Sequence, residues 1–204
     1  MRHNQGVATG LKQQVLEASL GLIREVGLAQ LSMREVARRA GVSHQAPYHH
    51  FKDKDAIVAA LVEQGFTALA DRLEAAAAGQ GTPKQRLSRT GRQYVAFAFE
   101  NPVHFRLMFR PELVDLARFP SAQAAAARAF AVLTRLVDQQ PAARRRSAES
   151  KEAEVSLHWS VVHGLATLFL DGALGEGFAD AKARDRHVDR VLERFFAPAP
   201  SGRA

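Results

Sequence analysis

Cysteine is missing from all 204 residues. Disulfides, thiol catalysis, iron–sulfur clusters and cysteine-ligated zinc are excluded together, and the usage agrees with a reducing cytoplasm. Acidic side chains are in deficit, 21 Asp+Glu against 28 Lys+Arg, for a net charge of +7. A basic excess of that size points to a polyanionic partner, either nucleic acid or an anionic membrane surface. The excess is uneven: residues 1–54 carry 8 basic and 4 acidic side chains. Long apolar runs are also lacking. The longest, Val155–Leu170, contains His158 and His163 and is short of the ~20 residues of a bilayer span, so it is expected to be a buried helix. The opening residues MRHNQGVATG have no apolar core, so no secretory leader is expected and the location expected is cytoplasmic. Runs that alternate polar with apolar residues are absent, which argues against strands.

What is present is helical throughout: Ala and Leu dominate, and apolar residues recur at steps of three and four. The fold class expected is all-α. A first helix over about 11–26 carries the stripe Val15, Leu16, Leu20, Ile23 and Val26. Ser32 is placed to cap a short helix ending at Ala40, with Glu35 completing a capping box. Gly41 breaks that helix, and Ser43 can cap another reaching about Phe51. Longer helices are expected over 53–78, 83–100, 120–140, 148–174 and 181–196, with a short one at 103–110. Residues 1–10 read as a disordered arm and 198–204 as a disordered tail.

The segment LSMREVARRAGVSHQAPYHHFKDKDAI, residues 31–57, is the informative one. Two short helices joined by a glycine turn make a helix-turn-helix, about 32–51. Val36 and Ala40 face the core at i and i+4. Ala37 is small enough for the next helix to cross closely, Gly41 can take the positive φ of the tight turn, and Val42 plugs the corner. An ordinary αα-hairpin is the competing reading.

Residues 11–66 resemble the N-terminal domain of TetR-type transcriptional regulators. The resemblance is carried by the leading helix with Gly27, by Ser32-Met33-Arg34-Glu35-Val36-Ala37, Ala40-Gly41-Val42-Ser43, Tyr48-His49-His50-Phe51 and Lys54-Asp55-Ala56-Ile57. Further on, Trp159-Ser160-Val161-Val162-His163-Gly164 resembles the signature of the branch named for Trp…His-Gly, and Asn101-Pro102 followed by Phe105-Arg106-Leu107-Met108-Phe109 fits it too. The resemblance implies a homodimeric, ligand-responsive regulator, usually a repressor, with a DNA-binding domain at 11–68 and a ligand-binding and dimerisation domain at 69–197. By matched position, Ser43, His44, Gln45, Tyr48 and His49 face double-stranded DNA, and Ser32, Tyr48 and Lys54 meet phosphates. The chain departs from the family's pattern at Ala46-Pro47, where many members carry Thr-Leu. Pro47 lacks an N–H and fixes φ, so the start of the recognition helix is expected to be distorted. Whether His44 or Gln45 reaches a base stays open; Gln can read adenine bidentately, and His can donate to guanine or contact the backbone.

For the remainder, a pocket for a small, mostly apolar effector is expected near Phe97, Phe105, Met108, Trp159 and His163, with plain core packing as its rival. The last two long helices, about 152–171 and 182–196, are expected to form the dimer face through Val188, Val191, Leu192 and Phe195. No metal site is expected, since His49-His50 and His158/His163 are poorly aligned and Glu154/His158 lacks a third ligand. No cofactor and no catalytic residues are indicated: Gly172, Gly175 and Gly177 follow no strand, and no Ser-His-acid order stands out. Membrane-surface binding has only the loop Arg144–Arg146 in its favour. The alternative function is a small-molecule-binding protein or enzyme with an incidental helix-turn-helix.

Overall fold

The computed structural model describes residues 3–141, 146–175 and 180–196, with side chains from residue 10 onward. Eight α-helices carry the described chain: α1 (His3–Val26), α2 (Met33–Ala40), α3 (Lys54–Ala78), α4 (Pro83–Glu100), α5 (Pro102–Met108), α6 (Pro120–Asp138), α7 (Ala148–Leu170) and α8 (Ala181–Phe195). Three short 3₁₀ turns lie at Leu28–Gln30, Ala46–His49 and Leu116–Arg118, and no strand occurs among the described residues. The all-α expectation holds. α1 already begins at His3, inside the stretch expected as a disordered arm; the first proline of the chain is Pro47, so nothing in those residues forbids helical backbone. The expected tail at 198–204 lies outside the described residues, as do Arg144 and Arg145; Arg146 pairs with Glu154 at 3.0 Å.

The chain divides into two compact units, Met1–Phe66 with Val103–Ala125, and Thr67–Pro102 with Ala126–Ala204. In the first, α1 packs on α2, and both contact the 3₁₀ turn at Ala46–His49. Val15, Leu16 and Leu22 of α1, Val36 and Ala37 of α2, and Ile57, Val58, Leu61 and Val62 of α3 make its core. The apolar stripe of each helix is what is buried, as the three-and-four spacing requires. The segment 103–125 closes against the N-terminal half of α3. Phe109 stacks edge-on against Phe66 at 5.5 Å, Ser121 Oγ donates to Glu63 at 2.7 Å, and Arg118 pairs with Asp55 at 3.3 Å.

In the second unit α4 packs against α7 and α8. Thr82 caps α4, and here a full capping box forms: its hydroxyl accepts the Gln85 N–H at 3.2 Å and Gln85 Oε1 accepts the Thr82 N–H at 2.8 Å. The box expected at Ser32 forms only by half. Ser32 Oγ accepts the Glu35 N–H at 3.2 Å, but the Glu35 carboxylate turns to the Arg38 guanidinium, with Nε at 3.0 Å, because a charged partner one turn on binds it more strongly than a backbone N–H. α7 stops at Leu170 rather than 174, where the Ala173 N–H bonds back to Leu168 O at 2.9 Å and turns the chain out of the helix.

Val188 and Leu192, expected at a dimer face, lie in the core of this unit at 2 % and 0 % exposure. Leu192 sits over Gly91 of α4, where an added Cβ would be 3.5 Å from it. An amphipathic helix buries its apolar stripe in its own fold first, and the flanks of α8, Val191 and Phe195, are half-buried. Truncating Leu192 to Ala should therefore cost about 2–5 kcal/mol of folding stability, read as a lower urea midpoint at unchanged slope; a midpoint within error of wild type would take Leu192 out of the core.

Candidate functional site

The helix-turn-helix is built by its turn. Gly41 sits at φ 67°, ψ 29°, the left-handed region that costs other residues about 1 kcal/mol or more. From there the Val42 N–H reaches Ala37 O at 3.1 Å and the Gly41 N–H reaches Arg38 O at 3.2 Å, which closes the last turn of α2 and satisfies its end carbonyls. The carbonyl of Ala40 is met from α1, by Gln14 Nε2 at 2.8 Å. Arg39 reaches back to α1 as well, donating Nη1 to Glu25 Oε2 at 2.6 Å. The guanidinium passes over Gly21, where an added Cβ would lie 2.8 Å from it and the flexible end of Arg39 would have to shift. The Arg39 guanidinium beside Glu25 holds its carboxyl below the usual carboxylate range.

The element after the turn is shorter than expected. In place of a helix from Ser43 to Phe51, the chain forms a 3₁₀ turn over Ala46–His49 whose N-cap, Gln45, makes no side-chain capping bond. Ser43 supplies its carbonyl instead, accepting the Ala46 N–H at 3.0 Å, and Gln45 O accepts the Tyr48 N–H at 3.1 Å. Pro47 is the physical reason, because it has no N–H to donate toward Ser43 and an α-helical ladder cannot start across it. The side chains then sort cleanly. Ala46 and Pro47 are buried, while Ser43, His44, Gln45, Tyr48 and His49 are all exposed, and Tyr48 shows 45 % of its surface. The His44 and Tyr48 rings lie 6.0 Å apart, so the two share one face. Val42, expected in the corner, is half-buried.

Ser32 is exposed at the N-terminus of α2, and Lys54 is half-buried at the first position of α3. Asp53 caps that helix, accepting the Ala56 N–H at 2.9 Å. A lysine at the positive end of a helix is unfavourable on its own and becomes favourable beside an anion.

The effector candidates fall in both units. Phe105 and Met108 belong to the first, where the Phe105 and Phe109 rings are 5.0 Å apart and Met108 covers Gly65. Phe97, Trp159 and His163 belong to the second. There Trp159 and His163 do meet, at 5.6 Å between rings, and both meet Tyr94 of α4. Trp159 Nε1–H donates to the Tyr94 hydroxyl at 3.3 Å, and that hydroxyl lies 2.8 Å from His163 Nδ1. Indole nitrogen only donates, and burial pushes the Tyr94 phenol up, with the Trp159 bond partly opposing. Tyr94 therefore keeps its proton, and its O–H can donate a hydrogen bond to His163 Nδ1 in the tautomer that leaves that nitrogen bare. Phe130 packs edge-on against Trp159 at 5.9 Å, and Trp159 and Phe130 remain 36 % and 46 % exposed. Tyr94 was visible in the sequence as one aromatic among several; its position 65 and 69 residues from its partners gave no local signal. Among the described residues no three His, Asp or Glu side chains gather as a metal site requires, and no helix is long and apolar enough to cross a membrane.

A head of two α-helices and a 3₁₀ turn, with a glycine-turned corner and an exposed polar face, followed by further helices, defines the helix-turn-helix class. Comparison with known proteins gives the particular family. Residues 15–61 match the family described as "Bacterial regulatory proteins, tetR family", and residues 87–195 match "Tetracyclin repressor-like, C-terminal domain". The chain belongs to the tetR family of bacterial regulatory proteins. It is 25 % identical to the HTH-type transcriptional regulator BetI of Escherichia coli O45:K1 over 207 residues, 94 % of each chain. It is 29 % identical over 126 residues to BetI of Yersinia pestis (strain Pestoides F), a match that takes in 54 % of this chain and spans 63 % of that relative's length. A bacterial regulatory protein of the tetR family from Rhodococcus RHA1 superposes with a TM-score of 0.73 at 19 % identity, over 93 % of this chain and 98 % of that one. A second Rhodococcus sp. RHA1 structure gives 0.75 at 27 % identity, over 91 % and 93 %.

Burial holds His163 below its ordinary value of 6.5, since the charged ring loses solvation. The unfolded chain therefore binds the proton more readily. This contribution to stability is present above pH 6.5 and is lost as pH falls through the lowered folded value. His163→Gln should flatten the acid side of the stability profile relative to wild type; parallel profiles for the two proteins would contradict the buried neutral imidazole. His104, also held low by burial and then by Arg24, leaves a residual slope in both.

Proposed function

We propose that this protein is a ligand-responsive repressor that binds a palindromic operator as a homodimer and is released by a small, mostly apolar effector. The observation that carries the DNA-binding half is the sorting of residues 43–49: the buried pair Ala46 and Pro47 anchors the turn, and Ser43, His44, Gln45, Tyr48 and His49 are turned outward together. Ser32 and Lys54 are the phosphate contacts, each at a helix N-terminus where backbone N–H groups add to the attraction for an anion. The excess of positive charge in residues 1–54 supplies the sequence-independent part of the affinity. A turn this short reads few base pairs, so selectivity needs two half-sites and two copies of the chain. Val191 and Phe195, the flanks of α8, with the exposed Leu157 and Leu168 of α7, are the apolar surface for that pairing. The effector contacts Trp159 and His163. It acts only if it binds more tightly to the state that does not fit the operator, and a difference of about 1–3 kcal/mol gives a 5- to 150-fold response.

Lys54→Ala should weaken binding to every duplex and lower the salt slope by about one, whereas Gln45→Ala should redistribute preference at one base position by about 1–3 kcal/mol. Fluorescence anisotropy across a salt series and an operator-variant panel separates the two; an unchanged slope for Lys54→Ala would remove it from the phosphate contacts. Val191→Asp should sediment as a folded monomer that no longer binds the palindrome, and a dimeric variant would move the interface off α8. A ligand that releases operator should change the emission of Trp159, the single tryptophan of the chain; release with unaltered emission and with unaltered potency in Trp159→Ala would place the effector elsewhere.

A further inference from the structure

The second unit carries an open cleft of about 270 Å3 lined by Glu74, Ala77 and Ala78 of α3, Arg86 of α4, and Arg135, Leu136 and Gln139 at the end of α6. Its charges are unbalanced. Apart from the two that line the cleft, every arginine of these three helices is occupied: Arg72 by Glu100, Arg89 by the carbonyls of Ala76 and Gln80, Arg92 by Asp189, and Arg128 by Asp71 and Glu74. Arg86 is different, for its Nε is buried with no hydrogen-bond partner. The one carboxylate in the lining, Glu74, has both oxygens hydrogen-bonded to Arg128, at 3.0 and 2.6 Å, and meets Arg135 only through space.

Helix ends sharpen the asymmetry. Arg135 lies in the last turn of α6, where a cation is favoured. Arg86 is the fourth residue of α4, near the positive end of a helix that has no acidic residue in its first turn. A buried guanidinium nitrogen without an acceptor, beside a helix N-terminus and a second arginine, is a poor arrangement for an empty surface and a good one for holding an anion. The floor is apolar, with Ala77 and Leu136 buried. The volume is at the small end of ligand pockets.

We propose that this cleft binds a small organic carboxylate, with its charged head between Arg86 and Arg135, Gln139 as a further donor, and a short apolar portion against Ala77, Ala78 and Leu136. The site shares no residue with the Trp159–His163 region and does not depend on the operator reading. Calorimetric titration of the full chain with hexanoate, hexanamide and inorganic phosphate tests it. Hexanoate should bind, and hexanamide and phosphate should each be weaker by about tenfold or more, the first for lack of charge and the second for lack of a tail. Arg86→Met and Arg135→Met should each cost hexanoate a similar factor, and Trp159→Ala should cost nothing. Absence of hexanoate binding, equal affinity for hexanamide or phosphate, indifference to both arginine substitutions, or loss in Trp159→Ala would each overturn the proposal. If Arg86→Met does not fold, the three-ligand comparison on the unaltered protein decides the matter.

Discussion

The backbone at Gly41 constrains everything the DNA-binding head presents. A helix ends wherever its carbonyls find other donors, and here the left-handed residue lets Val42 and Gly41 turn back on Ala37 and Arg38. The chain leaves α2 in one fixed direction, with Ser43 through Gln45 outward and Ala46 and Pro47 inward. α1 holds the last turn of α2 just before that corner, through Gln14 on the Ala40 carbonyl and Glu25 on Arg39. The polar face is thus positioned by backbone geometry and by contacts that lie behind it. Its own side chains are left uncommitted to the fold, as a surface that reads another molecule requires.

The helices were legible because their signals are local. Period, N-cap residues and breakers act within four or five positions, and Thr82, Ser147 and Asp180 all cap as their residue types suggest. Pro47 was legible in kind: its missing N–H foretold a disturbed start to the recognition element, and what forms is a 3₁₀ turn over Ala46–His49, closed by the Phe51 N–H on Pro47 O at 2.9 Å. The capping box at Ser32 misled because spacing alone cannot tell which of two partners a carboxylate prefers, and Arg38 outcompetes a backbone N–H for Glu35.

Non-local contacts were not legible, and they decide the second unit. Val188, Val191, Leu192 and Phe195 form one apolar series in sequence, yet Val188 and Leu192 are buried in the core of their own unit. A hydrophobic stripe shows that a helix buries a face without showing against what. His163 had two readings, ligand contact or satisfied core residue, and Tyr94 supplies part of each. Its hydroxyl satisfies Nδ1, while the neighbouring Trp159 and Phe130 stay partly exposed.

On the proposed reading, that arrangement bears on how the region would respond to a small molecule. A chain of hydrogen bonds from Trp159 through Tyr94 to His163 fixes three side chains with two bonds, and in a partly buried setting each bond strengthens its neighbour. On that reading, a molecule that shifts the indole from its exposed edge would strain its bond to Tyr94 and, through that hydroxyl, the contact with His163. The network has no charge to move, since the phenol is held protonated and the imidazole neutral by the same burial. On the proposed reading of Trp159 and His163 as effector contacts, apolar contact is the input suited to them, because an anion or cation placed there would meet the desolvation that keeps these side chains uncharged.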